Sequence, residues 1–334
     1  QKNYEWCVGE GQVPQLHLDS PVAESVPAGT RPEAQAPSQI ASRVASVQPI
    51  GPGITPVLLP VLVPSEEAYA RWKQTNVRPQ RQFGFVTATV TVPLGDLTSE
   101  QMRVLGDLAR AYGDATARVT VDQNLVIRWV PVGEVRELYR RLSAAGLGLA
   151  DAATVADVNS CPGAECCRLA VTQSRGLGRL LGDTLRARPD LVSKADGAVI
   201  KISGCPNGCG QHHIATIGFQ GSVRRIQGKA VPQYFVMIGG GTTAEGASFG
   251  RTVAKIPARR IPETVERLIA FYQREKADGE SAPSFFQRMD VDRVGGEVRD
   301  LERMTAEDAV PEDFVDLAET AAFAPAVHDG ECSA

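Results

Sequence analysis

Four cysteines in two tight pairs constrain this chain more than any other feature. Cys161-Pro-Gly-Ala-Glu-Cys166-Cys167 sets two thiols six positions apart, and Gly204-Cys205-Pro-Asn-Gly-Cys209-Gly210 sets two more four positions apart. Both stretches are rich in Gly and Pro. Glycine tolerates positive φ and lets the main chain approach a ligand, so the backbone here is expected to wrap something bulky. Four thiolates converging from two such loops make a metal centre. A C-x5-C plus C-x3-C set suits a cubane iron–sulfur cluster, which takes four thiolates from varied loops. It suits a zinc ion less well, because zinc knuckles use C-x2-C or C-x4-C spacings.

Disulfides are the competing reading. They are disfavoured by the odd count of 7 Cys and by the lack of an apolar stretch at the start of the chain. Spacing alone leaves open whether Cys166 (C-x4-C) or its neighbour Cys167 (C-x5-C) pairs with Cys161. Cys7 and Cys332, in the terminal segments, read as free thiols.

A length of 334 residues predicts two domains. With 43% hydrophobic and 22% charged residues the composition is that of an ordinary globular protein. A net charge of −4 argues against a general nucleic-acid binder. The most apolar run, Ile54–Val63, is too short to cross a bilayer and contains Pro56 and Pro60. Together with the cysteine usage this predicts a cytoplasmic protein with no membrane partner. The chain begins with Gln rather than Met, so a processed product or a fragment is expected.

Residues 1–65, rich in Pro, Ala, Ser and Gln, read as a linker or wrapping arm. Residues 66–148 read as a compact α/β unit. Its elements are a short helix Ser65–Lys73 with Ser65 as N-cap, and a β-branched strand Gly84–Pro93. A helix follows from the capping box Thr98-Ser-Glu-Gln101 to Tyr112, with apolar Met102, Leu105, Leu108 and Ala109. Arg118–Trp129 reads as one strand and Val132–Ala145 as a helix closed by Gly146. That order suggests half of a ferredoxin-like split unit. Residues 149–290 hold the cysteine loops, a helix Cys167–Leu181, strands Val199–Ser203, Ile214–Phe219 and Tyr234–Ile238, and an amphipathic helix Pro262–Ala277. From residue 278 onward an irregular surface segment is expected, and 291–334 is an acidic C-terminal tail.

The cysteine motifs carry a family resemblance. Cys161-Pro-Gly-x-x-x-Cys167-x-Leu-Ala, followed by Lys201-Ile-Ser-Gly-Cys-Pro-Asn-Gly-Cys209, resembles the assimilatory sulfite and nitrite reductases that use sirohaem and a [4Fe–4S] cluster. Trp72-Lys-Gln-Thr-Asn76, Gln80-Arg-Gln82 and Gly84-Phe85 look like the start of that family's second ferredoxin-like repeat. Asp122-Gln-Asn-Leu125 looks like its strand segment facing the cofactor. The resemblance covers about residues 66–290.

The resemblance implies an α+β fold: a ferredoxin-like repeat (66–148), then a larger α/β domain (149–290) that binds sirohaem and the cluster. It selects Cys161, Cys167, Cys205 and Cys209 as cluster ligands, with Cys209 also bonded to the sirohaem iron. Sirohaem carries eight carboxylates, and burying them takes cations and donors. Lys201, Arg118, Arg128, Arg251 and Lys255 are the candidate cations, with Gln123 and Asn124 as hydrogen-bond donors. His212 and His213, just past the second pair, are candidate proton donors or hydrogen-bond partners of the cluster.

The implied activity is six-electron reduction of sulfite to sulfide or of nitrite to ammonia, with electrons from a ferredoxin. No catalytic side chain is assigned. The family's substrate-gripping Arg and Lys lie mainly in a first half that this chain does not display, so that half is an expected partner. The alternatives are a cluster-only electron-transfer or scaffold module assembling with a separate half, a zinc-stabilised interaction domain, and a related enzyme acting on a corrinoid precursor.

Overall fold

Ser65 opens the first helix, α1 (Glu66–Asn76). Its hydroxyl accepts Ala68 N–H at 3.2 Å, and Glu66 and Glu67 lie where the helix dipole favours anions. The computed structural model describes residues 64–243 and 246–325. Residues 1–63 of the expected arm, with Cys7 and Ile54–Val63, lie outside the described residues, as do the end of the expected tail and Cys332.

The first domain is an antiparallel sheet with two helices. Strands β1 (Val77–Pro79), β2 (Phe85–Val90), β3 (Ala117–Val119) and β4 (Leu125–Pro131) lie in the order β1-β2-β4-β3. Helices α2 (Ser99–Tyr112) and α3 (Val135–Ala144) bury Leu105, Leu108, Leu138 and Leu142 with Ala88, Val90, Ile127 and Val130 of the sheet. The capping box at α2 is present: Gln101 N–H donates to Thr98 Oγ1 and Thr98 N–H to Gln101 Oε1, each at 3.1 Å. Gly146 follows α3 at φ +70°, where a side chain would be strained. Met102, expected on the buried face of α2, is exposed.

The single strand expected over 118–129 is a hairpin. Thr120 N–H donates to Asn124 O at 2.9 Å, Gln123 takes φ +61°, and β3 folds back on β4 with Arg118 opposite Val126. The polar run Asp122-Gln-Asn124 is therefore the turn and not a strand.

The second domain is a mixed five-stranded sheet. It comprises β5 (Asn159–Ser160), β6 (Ile200–Ser203), β7 (Ile217–Ile226), β8 (Lys229–Ile238) and, beyond the small β9 (Gly241–Thr243)/β10 (Gly246–Ser248) ribbon, β11 (Arg251–Pro257). The order is β11-β8-β7-β6-β5, with β5, β6 and β7 parallel. Gln227 and Gly228, both at positive φ, make the two-residue turn that lets β7 and β8 twist together along their whole length. Helices α4 (Ser174–Arg186), α5 (Pro189–Lys194), α6 (Ile261–Glu275), α7 (Ala282–Arg288) and α8 (Val291–Glu302) complete the core with Phe219, Tyr234, Leu268, Phe271 and Phe285.

Two expectations are corrected here. The helix expected from Cys167 starts only at Ser174, because the intervening N–H groups bond across the loops: Val171 and Thr172 both donate to Gly204 O. The irregular segment expected from 278 contains α7 and α8. The apolar residues of α8, Val294, Val298 and Leu301, are buried at helical spacing beneath a charged face that hid the pattern.

Candidate metal centre

Both cysteine loops leave the carboxyl ends of adjacent parallel strands, β5 and β6. Open α/β sheets place ligands at such strand ends. The two loops are stitched together before any ligand is considered. Cys161 N–H donates to Ile202 O at 3.1 Å, extending the β5–β6 ladder. Gly204 N–H donates to Cys161 Sγ at 3.2 Å, tying the second loop to the first thiol. Val171 and Thr172 return the connection through Gly204 O at 2.8 and 3.1 Å.

Glycine makes this closeness feasible at two points. A Cβ on Gly204 would lie 2.7 Å from Thr172 O, and one on Gly210 would lie 1.8 Å from Ile202 O. Cys161 and Cys205 are buried, Cys167 is half-buried, and Cys166 and Cys209 are exposed. None of these five forms a disulfide.

Among the described residues no group of three or more His, Cys, Asp or Glu side chains is spaced to hold a metal ion. Soft thiols carried on two loops that hydrogen-bond to each other are the donor type that an iron–sulfur cluster takes.

The second loop is closed at its neck. Ser203 Oγ accepts Gly210 N–H at 3.0 Å and sits 2.7 Å from His212 Nδ1, so the residues flanking Cys205 and Cys209 are tied together. His212 is fully buried. Desolvation, then the neighbouring His213, pushes its pKa down to about 4, so its imidazole is neutral at pH 7. His213 stacks on it with ring centroids 3.8 Å apart.

Beneath the loops, the β3–β4 turn of the first domain locks onto β5 and β6. Lys201 Nζ is buried and donates to Asp122 Oδ1 (2.8 Å), Asn159 Oδ1 (3.1 Å) and Gln211 Oε1 (3.2 Å). Gln123 exchanges two bonds with the backbone of Ser160, at 2.9 and 3.1 Å. Asn124 accepts Val92 N–H and donates to Asp157, both at 2.8 Å. The turn expected to face a cofactor thus fastens the strand leading into Cys161.

The other candidate cations are not gathered there. Arg118 is exposed on β3, and Arg128 pairs with Asp114 at 2.5 Å. Arg251 and Lys255 lie on β11, the edge strand farthest from β5. Arg251 Nη2 donates to the Phe286 and Gln287 carbonyls, and Lys255 Nζ lies 4.7 Å from the Phe235 ring centre.

Sequence reasoning missed Ser174 and Asp316. Ser174 Oγ donates to Cys161 O at 2.9 Å and lies 3.3 Å from Cys161 Sγ. Asp316 accepts the N–H of Gln173 from far along the chain, and no local pattern signals such a contact.

Two family models match the chain. The one described as "Nitrite/Sulfite reductase ferredoxin-like half domain" matches residues 78–145, and "Nitrite and sulphite reductase 4Fe-4S domain" matches 151–306. The chain is 27% identical over 194 residues to a ferredoxin–nitrite reductase of Synechococcus elongatus, covering 58% of this chain. It is 29% identical over 205 residues to a ferredoxin sulfite reductase of Mycolicibacterium paratuberculosis, covering 60% of this chain. In each case the match spans only 37% of the relative's length. The Mycobacterium tuberculosis NirA structure superposes with a TM-score of 0.58 at 26% identity, covering 66% of this chain and 41% of that one. A dissimilatory sulfite reductase I structure, at 13% identity and a TM-score of 0.51, shares the fold. The chain belongs to the family of sirohaem- and [4Fe–4S]-dependent sulfite and nitrite reductases.

Proposed function

We propose that this chain is the cluster-bearing half of a ferredoxin-dependent sulfite or nitrite reductase, working in the cytoplasm. The observation that carries the reading is the stitching of the two cysteine loops through Gly204, which holds the two motifs side by side at the ends of adjacent strands. Cys161, Cys167, Cys205 and Cys209 would hold the [4Fe–4S] cluster. The half-burial of Cys167 beside exposed Cys166 supports that choice. Cys209 is exposed, and by the family resemblance it would also be the residue that holds the sirohaem.

When bound, the cluster would relay electrons from reduced ferredoxin and the sirohaem would supply the reactive iron for a six-electron reduction. The chain's own part is positional. Lys201 and Gln123 hold the first domain's turn against the strands that feed the cysteine loops. Neutral His212 keeps the neck of the Cys205–Cys209 loop shut. Val119 and Val121 on the β3 hairpin and Leu169 on the first cysteine loop are exposed apolar side chains that a macrocycle or a partner half would cover.

The test is assembly. The chain, loaded anaerobically with cluster and sirohaem and mixed with a polypeptide carrying the other ferredoxin-like half, should reduce nitrite or sulfite with reduced ferredoxin. The chain alone should not turn over. Turnover by the chain alone, at the rate of the assembled pair, would overturn the assignment as a half.

A further inference from the structure

The segment after residue 306 lies outside both family matches, yet it is packed against the first cysteine loop. Its 3-10 turn, Pro311–Phe314, leads to Asp316, which is 3% exposed. One Asp316 oxygen accepts Leu317 N–H and the other accepts Gln173 N–H, both at 2.8 Å. Glu319 accepts Gln173 Nε2 at 2.5 Å.

Gln173 is the N-cap position of α4, and its own side chain caps nothing. A carboxylate delivered there from a distant segment takes the N-cap N–H, as the N3 side chain of a capping box would, and it sits where the helix dipole favours an anion. The next residue is Ser174, whose hydroxyl bonds Cys161 O and lies beside Cys161 Sγ. Asp316, Gln173, Ser174 and Cys161 thus form one line of contact.

Two further contacts fix the segment in place. A Cβ on Gly176 would come within 2.5 Å of Leu317 O, so the segment presses directly on the first turn of α4. From the opposite side, Arg259 donates to Glu312 O at 2.6 Å and to Val315 O at 3.3 Å. The segment closes on itself through the Val315–Ala322 bridge and through Phe323 N–H to Phe314 O at 2.6 Å.

We propose that residues 311–323 are a strap, with Asp316 as its positioning residue, that holds the Cys161–Ser174 loop in its ligating shape before any cluster is present. The consequence for cluster retention rests on the proposed function; the consequence for the loop does not.

The test is hydrogen exchange on the cluster-free chain. Asp316→Ala and Arg259→Ala should each speed exchange over residues 161–177 at least tenfold, leaving residues 85–130 unchanged. Asp316→Asn keeps an oxygen for Gln173 N–H and should recover most of the protection. Reconstituted protein should then lose iron to a chelator faster in the same order of variants. If Asp316→Ala does not fold, Arg259→Ala and Asp316→Asn decide the matter. Unchanged exchange over 161–177 in the strap variants would overturn the proposal. So would loosening spread evenly over the whole second domain, which would mark Asp316 as a general core residue. Failure of the wild-type chain to take up iron would count against the cluster and leave the exchange result standing.

Discussion

At the residue scale the four thiols are not equivalent. Cys161 is enclosed by Gly204 N–H and Ser174, whereas Cys209 faces solvent, as does Cys166 outside the set. Serine at Cys161, Cys167 or Cys205 is expected to abolish iron and acid-labile sulfide, and Cys166→Ser to keep both, as read by metal analysis after reconstitution. Cluster loss in Cys166→Ser together with retention in Cys167→Ser would exchange the two assignments.

Two buried titrating groups give opposite pH signatures. His212 has its pKa lowered to about 4 by burial, so its folded form binds fewer protons than the unfolded chain, and its contribution is lost as pH falls from 6.5 toward 4. Burial raises Asp316 to about 6, so the folded form binds more protons, and stability is gained as pH falls through 6 toward its ordinary value. Relative to wild type, Asp316→Asn should therefore have a lower melting temperature at pH 5 than at pH 7. His212→Gln should move the other way. Parallel shifts in both variants would contradict this account.

At the element scale, what could be read from the sequence was local. The caps Ser65, Thr98 and Gly146, and the β-branched run of β2, each declare an element through their own neighbours. The misreadings share one cause. Residues 167–173 have helical composition, but Val171 and Thr172 N–H are claimed by Gly204 O and Gln173 N–H by Asp316. Asp122-Gln-Asn124 is flanked by strand residues, but the Asp122 and Gln123 side chains are claimed by Lys201 of β6 and Ser160 of β5. In both places tertiary bonds override the local preference. The cysteine pairs stand out in the sequence because their spacing is local, while Ser174 and Asp316 act through contacts that no window contains. Gly210→Ala tests the close packing of the loops. Its Cβ meets Ile202 O, so a loss of about 3 kcal/mol in denaturant unfolding is expected. A cost within experimental error would mean the loop is loosely packed.

At the scale of the whole molecule, the two domains are joined by polar contacts centred on Lys201, which ties a turn of the first sheet to strands of the second. Removing its ammonium leaves Asn159 and Gln211 without that donor and Asp122 without its charge partner. Asp122 is partly exposed, so the cost of Lys201→Met should be modest, about 2 kcal/mol, with faster exchange concentrated in residues 119–125. Confinement of the change to residues 205–211 would instead place Lys201 with the cysteine loop alone. The exposed apolar side chains of Val119, Val121 and Leu169 predict concentration-dependent self-association of the isolated chain, measurable by sedimentation.

The central claim is that Cys161, Cys167, Cys205 and Cys209 hold one cubane cluster. The most direct measurement is iron and sulfide analysis of the anaerobically reconstituted chain, with electron paramagnetic resonance after reduction. The account predicts about four irons and four sulfides per chain and the signal of a reduced [4Fe–4S] centre, all lost in Cys205→Ser. A colourless protein holding one zinc per chain, or a cluster that survives Cys205→Ser, would contradict it.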